Sequence, residues 1–278
     1  MVTITNEHFS LSQICQSGQC FRMNQTEHKN YKIIAGQRYL EACEEEGSIS
    51  LFCSKEEFHE FWEDYFDLKR DYQQNHLQIN PNDSYLLSAA SFGWGIRILK
   101  QDLWETIVSF LISQQNNIVR IRRCIEQLCK VYGKEMVSVN GEAYYSFPTP
   151  EALSGLEENQ LMACNLGYRS KYVVRAAKSV VSGDFDLNQL RSLPYKQAKE
   201  ELMKLFGVGE KVADCVCLFG LHHLDAFPVD THINQALQAH YKRGFPNKRY
   251  QGFKGVLQQY IFYYELYGRQ NVSENKRI

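Results

Sequence analysis

The 278-residue sequence has no hydrophobic run approaching the roughly 20 residues that a membrane-spanning helix needs, so no membrane is expected among its partners. The opening MVTITNEHFS lacks a basic segment followed by an apolar one, and no secretory signal is expected. Nine cysteines are present, yet none forms a CxxC pair and no His/Cys cluster has zinc-ligand spacing. That argues against a zinc module, and the odd count fits free thiols in a reducing cytosol or nucleus. No low-complexity tract and no internal repeat is found, which removes solenoids and repeat arrays. Nor does one sign of charge dominate: 31 Lys+Arg stand against 32 Asp+Glu, net −1.

That balance hides a division. Residues 1–85 carry 7 basic and 14 acidic side chains, net −7, and the remainder is net +6. A basic majority suggests a polyanionic partner for the second part, although uneven surface charge accounts for it equally well. What the chain does have is apolar material, 44% hydrophobic and 13% aromatic, enough for a substantial buried core.

The first 53 residues read as β-rich. YKIIAGQRYLEAC resembles two strands around a turn at Gly36–Gln37, and SISLFC is a further short strand. Ser54 and Glu57 form a capping box, and Phe58, Phe61, Trp62, Tyr65 and Phe66 recur behind it at helical spacing, read as core. From Asp83 onward helical patterns dominate. Helices are predicted over 84–99, 103–112 (capped by Asp102), 118–132, 168–181 (closed by Gly183), 195–205, 210–220, 231–241 and 251–267, with Pro150 opening another. The polar tail after Gly268 is expected to fray. The fold class is therefore α+β: an antiparallel β domain with a helix over 1–84, then an all-helical region over 85–278.

Within the helical region, LMKLFGVGEKVA reads as a helix, a tight turn and a second helix, spanning about residues 196–220. Gly207 and Gly209 allow left-handed backbone and close ligand approach. The free N–H groups opening the second helix make an anion site. This is a helix-hairpin-helix pattern, able to hold a nucleic-acid phosphate without reading sequence. Lys211 falls in that helix's first turn, where the macrodipole opposes a positive charge. An uncharged amine there is a nucleophile; the alternatives are a solvated surface lysine or an i,i+3 pair with Asp214. Downstream, PVDTH places Asp230 as the N-cap of another helix. The intervening helix is about 15 Å long, and nine residues can span roughly 30 Å, so the chain can return Asp230 to Lys211. Taken alone, Asp230 is equally a plain cap.

GVGEKVADC followed by PVDTH resembles the lysine-bearing branch of the helix-hairpin-helix DNA glycosylases, in particular the 8-oxoguanine DNA glycosylase family. The resemblance extends, in order, to SGQCFR at 17–22, FLISQQNNIVRI at 110–121, LGYRSKYV at 166–173 and QQYIF at 258–262. It implies an antiparallel N-terminal β domain and helical domains flanking a cleft. It implies that Lys211 attacks the sugar C1′ of a flipped nucleotide and forms a Schiff base leading to β-elimination, with Asp230 stabilising the cationic sugar. Gln258 would read the Watson–Crick edge, with Phe262 and Cys215 on the two faces of the base, and the Gly18 carbonyl would accept from N7–H, which normal guanine lacks. Asn116 would enter the gap left by the flipped base, with Gln115 beside it and Tyr168 pressed into the stack. Arg120 and Arg169 would face the orphaned base or its phosphates, and His232 would lie near phosphate with Gly207 and Gly209.

The expected partner is double-stranded DNA containing oxidised guanine, bound by a monomer located at the nucleoid or cytoplasm of a prokaryote or in a eukaryotic nucleus. No cofactor is expected. No cysteine follows Cys217, which excludes the C-terminal iron–sulfur cluster of endonuclease III relatives, whereas a hairpin-bound metal ion stays open. The residue-level alternatives are an ordinary amphipathic helix for Gln258 and Phe262, a small buried hydrophobe for Cys215 and a helix-surface histidine for His232. Two function alternatives are a monofunctional alkylpurine glycosylase, which has no need of Lys211, and a non-enzymatic DNA-binding module. Three departures from the family pattern stand out. Phe206 replaces the hairpin proline, Met23 replaces a tryptophan, and Gln115 replaces an asparagine, from which a relaxed preference for cytosine opposite the lesion is expected. Cys124, Cys129 and Cys164 have no expected role beyond packing, and His222 and His223 are read as an idle surface turn.

Overall fold

The computed structural model describes residues 1–5, 7–26 and 30–268; the tail expected to fray lies outside them. The chain begins with β1 (Val2–Thr5), α1 (Leu11–Gln16), β2 (Met23–Gln25), β3 (Asn30–Ala35), β4 (Arg38–Glu45) and β5 (Ser48–Leu51). The five strands form one antiparallel sheet in the order β1-β5-β4-β3-β2. Ala35 pairs with Arg38, so the turn falls at Gly36–Gln37 as the sequence predicts. Period-two alternation puts Tyr31, Ile33, Leu40, Ala42, Ile49 and Leu51 on one buried face. The aromatic stripe covers that face. It lies on α2 (Lys55–Glu57) and α3 (Glu63–Tyr65), joined through a π turn at Phe58–Trp62, and Phe58, Trp62, Tyr65 and Phe66 are buried. Ser54 accepts from Glu57 N–H at 3.0 Å. Glu57 uses its carboxylate on the Trp62 indole instead, at 2.9 Å, so that half of the expected capping box is redirected.

After α4 (Gln73–Leu77), α5 (Ser84–Phe92) ends at Gly93, seven residues short of the predicted Leu99. The reason is long-range. Ile98 N–H donates to the Tyr72 hydroxyl, Leu99 N–H to the Gln19 amide oxygen and Lys100 N–H to the Tyr65 carbonyl, each at 2.9 Å. These partners, distant in sequence, outcompete another helical turn. The helical region continues with α6 (Leu103–Ser113), α7 (Ile118–Tyr132), α8 (Pro150–Ser154), α9 (Ser170–Ser182), α10 (Leu187–Ser192), α11 (Tyr195–Leu202), α12 (Glu210–Phe219), α13 (Thr231–His240) and α14 (Lys254–Tyr263). It is not all-helical: β6 (Glu135–Val137) and β7 (Ala143–Tyr145) form an antiparallel hairpin. That hairpin belongs to the packing of the first domain, since Glu142 pairs with Lys32 and the Tyr144 ring lies 5.1 Å from Tyr39. Tyr168, predicted inside α9, lies in the short 3-10 turn Gly167–Arg169 ahead of it.

Two hydrophobic clusters result, one under the sheet and one among the helices. They are not divided strictly by sequence, because Phe21, Tyr72 and Ile79 join the helical cluster whereas Leu99 joins the sheet cluster. Among the described residues no helix is long and apolar enough to cross a membrane.

Candidate active site

The helix-hairpin-helix is α11, a tight turn and α12. Gly207 sits at φ +90°, and a Cβ there would come within 2.5 Å of the Tyr172 ring, so both conformation and space require glycine. Gly209 is the N-cap of α12 and supplies no side-chain cap. The first N–H groups of α12 are therefore open to an anion at the positive end of the helix. Phe206 is exposed and packs on Tyr172, with the Arg175 guanidinium 4.2 Å from its ring centre.

Lys211 does not pair with Asp214. That carboxylate accepts from the Tyr195 hydroxyl at 2.7 Å and from Lys199 at 3.0 Å, and so ties α11 to α12. Lys211 instead lines a cavity with Asp230, its Nζ 5.4 Å from the Phe110 ring centre. Asp230 caps α13 by accepting from Ile233 N–H at 2.9 Å through one oxygen. Among the described residues neither Lys211 nor Asp230 closes an ion pair within 4.0 Å. Cys215, one turn beyond Lys211, is buried, and burial pushes its thiol up to about 11, only partly offset by Lys211. The thiol is thus neutral near pH 7 and a poor nucleophile.

The rest of the wall comes from α14 and the loop after α1. Gln258 is buried and donates to the Pro228 carbonyl at 3.0 Å. Phe262 is half-buried, its ring 6.0 Å from His232 in an edge-on arrangement. Gly18, at φ +72°, lies so close that a Cβ would be 3.1 Å from Phe262. The cavity among these groups is about 50 Å³, room for one or two water molecules. A cleft of about 890 Å³ opens elsewhere, between the sheet and β6–β7, but Lys211 and the helix terminus are at the smaller cavity.

A loop between α6 and α7 stands beside the hairpin. Gln115 at its tip is exposed and held at φ +47°. Asn116 is half-buried and donates to the Ile112 carbonyl at 3.2 Å. Arg120 is exposed in the first turn of α7, and Tyr168 is exposed with its hydroxyl 3.4 Å from the Gln114 carbonyl. Arg169 is not placed as expected. It is buried, and its guanidinium donates to the carbonyls of Gln114 at 2.8 Å and Gln115 at 2.9 Å. It braces the loop rather than facing outward. His232 is exposed.

Several residues with positioning roles escape the sequence reading. Gln114 donates from its amide to the Gly207 carbonyl at 3.0 Å and bridges the loop to the hairpin. Gln19 satisfies its whole amide, donating to Ser17 and to the Arg97 carbonyl and accepting from Leu99 N–H, each at 2.9 Å, which anchors Gly18. Gln259 lines the cavity beside Gln258. His222 is also not idle: it contacts the Ile98 carbonyl at 3.2 Å and the Asp67 carboxylate at 3.4 Å. A doubled glutamine was the one available signal for Gln259; the other partners are remote in sequence.

The chain is similar to known proteins along most of its length. Residues 1–107 match the family described as "8-oxoguanine DNA glycosylase, N-terminal domain", and residues 108–249 match "HhH-GPD superfamily base excision DNA repair protein". An N-glycosylase/DNA lyase of Saccharomyces cerevisiae is 34% identical over 269 residues, covering 87% of this chain and 70% of the yeast protein. An 8-oxoguanine glycosylase/lyase of Clostridium acetobutylicum, solved with double-stranded DNA containing cytosine opposite 8-oxoguanine, superposes with a TM-score of 0.87 at 35% identity, covering 95% of this chain and 93% of the other. A 3-methyladenine DNA-glycosylase from Archaeoglobus fulgidus shares the fold alone, with a TM-score of 0.75 at 19% identity over 96% and 99% of the two chains. From its two matched segments and its yeast relative, the chain belongs to the HhH-GPD superfamily of base excision DNA repair proteins, with the N-terminal domain of the 8-oxoguanine DNA glycosylases ahead of the helix-hairpin-helix.

Proposed function

We propose that this protein is an N-glycosylase/DNA lyase that flips 8-oxoguanine out of duplex DNA, excises it through Lys211 and then cleaves the strand. The observation that carries this reading is the convergence of Lys211, Asp230, Gly18, Cys215, Gln258 and Phe262 on one cavity at the hairpin's second helix. The target atom lies within a stacked duplex, so the nucleotide must leave the helix to be reached. The open N-terminus of α12 and the turn glycines Gly207 and Gly209 hold a backbone phosphate, His232 lies beside a second, and Arg120 and Tyr168 face the duplex. Gln115 and Asn116 occupy the gap in the stack, with Arg169 stiffening the loop from within. The cavity as it stands is smaller than a purine, so Phe262 must turn away from Gly18 before the base can settle.

The Lys211 amine forms a bond to C1′ as the C1′–N9 bond breaks, and the electron pair leaves with the base, which takes up a proton. The oxocarbenium character that develops is stabilised by the free oxygen of Asp230. Ring opening gives a Schiff base. Loss of a C2′ proton then expels the 3′ phosphate and cleaves the strand, and hydrolysis frees Lys211. The thiol of Cys215 stays out of this chemistry because it is protonated. The sequence of steps needs no cofactor from outside the chain.

Incubation with a duplex containing 8-oxoguanine followed by borohydride tests the reading. The expected result is a covalent protein–DNA adduct, absent from Lys211→Gln. Base release without trapping would instead favour water-mediated excision, and binding without release would leave only a DNA-binding module. Gln115 in place of the family's asparagine supports similar cleavage rates opposite all four bases; a steep dependence on cytosine would remove that part of the proposal.

A further inference from the structure

The cavity wall carries a chain of amides whose direction is fixed from one end. The Pro228 carbonyl can only accept, so Gln258 presents its Nε2 there, at 3.0 Å. The Gln258 Oε1 then faces Gln259, whose Nε2 donates to it at 3.1 Å. The last atom of the chain, Gln259 Oε1, is buried and has no donor among the described residues. Gln259 as a whole is 3% exposed. Turning its amide over would set oxygen against the Gln258 oxygen. Turning both would set the Gln258 oxygen against the Pro228 carbonyl. The orphaned acceptor is therefore forced by the backbone, and it belongs to a residue that lines the cavity that holds Lys211 and Asp230. Buried acceptors without donors are costly and rare, and one lining a binding cavity calls for a donor from the ligand.

The two amides keep unused hydrogen-bonding capacity. Gln259 Oε1 offers an acceptor, Gln259 Nε2 its second N–H, Gln258 Oε1 its second lone pair, and Gln258 Nε2 its second N–H. The Watson–Crick edge of guanine, oxidised at C8 or not, presents partners for three of these groups: the 2-amino donor for the Gln259 oxygen, the N1–H donor for the Gln258 oxygen and the O6 acceptor for the Gln258 N–H. An adenine-type edge has no donor at C2, an acceptor at N1 and a donor at C6, and it mismatches at all three places.

We propose that Gln259 is a specificity-determining residue that accepts a hydrogen bond from the 2-amino group of the flipped base, while its Nε2 holds the Gln258 amide in the orientation that reads N1–H and O6. This assignment rests on the proposed function, in which Gln258 reads the Watson–Crick edge. The site thereby selects 2-aminopurine-type lesions, and the choice between oxidised and normal guanine is left to the other edge of the base.

The test compares single-turnover excision of 8-oxoguanine and of 8-oxohypoxanthine, which lacks only the 2-amino group, each opposite cytosine. The wild-type protein is expected to favour 8-oxoguanine by at least about tenfold, because the analogue leaves the buried acceptor unpaired. In Gln259→Leu or Gln259→Met the ratio is expected to collapse to within about threefold. Binding to a duplex with a tetrahydrofuran abasic analogue, which has no base to read, controls for folding. Loss of the hold on Gln258 slows both substrates alike, so the ratio isolates the Gln259 contact from a merely structural role. Equal wild-type rates on the two lesions, or a ratio that survives both substitutions, would overturn the assignment while leaving the proposed function intact. Failure of the wild-type protein to excise 8-oxoguanine at all would remove the functional reading, and this one with it.

Discussion

Two neighbouring stripes of α12 treat their polar groups in opposite ways. On one, Asp214 is held by Tyr195 and Lys199, and a buried carboxylate becomes a clamp between the hairpin's helices. On the other, three residues earlier and one later, Lys211 and Cys215 face a cavity with their polar atoms uncommitted to any ion pair. One helix thus carries a structural face, where every charge has a partner, and a cavity face, where ion pairing is withheld and to which the proposed chemistry belongs. Local satisfaction supplies stability, and its omission marks where chemistry is done.

Substitutions on each face sharpen that contrast. Lys211→Gln is expected to lower lesion-strand cleavage by on the order of a thousandfold or more while leaving the urea midpoint unchanged. A large loss of stability would show that Lys211 belongs to the structural face after all. Asp230→Asn keeps the N-cap, since an amide oxygen also accepts from Ile233 N–H. It should retain affinity for lesion DNA yet slow excision by about a hundredfold or more, and unchanged turnover would break its assignment to the reactive side. Asp214→Ala should do the reverse, costing about 2–4 kcal/mol in urea unfolding with single-turnover excision reduced only modestly once the protein is folded.

A smaller effect concerns a carboxylate whose pairing is incomplete. Glu105 is pushed up to about 7 by burial, which the Arg22 guanidinium opposes and Asp102 reinforces. Burial prevails because the nearest Arg22 nitrogen is 3.7 Å away and lacks a hydrogen-bond partner. Folding therefore favours protonated Glu105. Its contribution to stability is full below its ordinary carboxylate range and is lost as pH rises to about 7, a fall of up to about 3 kcal/mol. Glu105→Gln should flatten the dependence of Tm on pH between 5 and 7, in about that window. An unchanged slope would place the titration elsewhere.

What the sequence discloses follows how far each interaction reaches. Caps are written within four residues, and Ser54, Asp102 and Asp230 each accept from the predicted helix as expected. The sheet alternation and the Gly36–Gln37 turn are equally local. Residues 96–99 were misread because their backbone bonds come from Gln19 and Tyr72. The β6–β7 strands are three residues each and dock on a sheet a hundred residues earlier, so no periodicity reports them. At the site, Lys211 and Asp230 announce themselves through helix-start rules. The inward turn of Arg169 and the bridge made by Gln114 depend on three segments meeting, which only the folded chain displays.

The Gln114 amide has a mechanical meaning. Its bond to the Gly207 carbonyl couples the element that would grasp the sugar-phosphate strand to the loop that would pry between bases. With Arg169 clamping the same residue from behind, a tug on one is felt by the other. Under the proposed function, backbone capture and duplex probing then become a single motion.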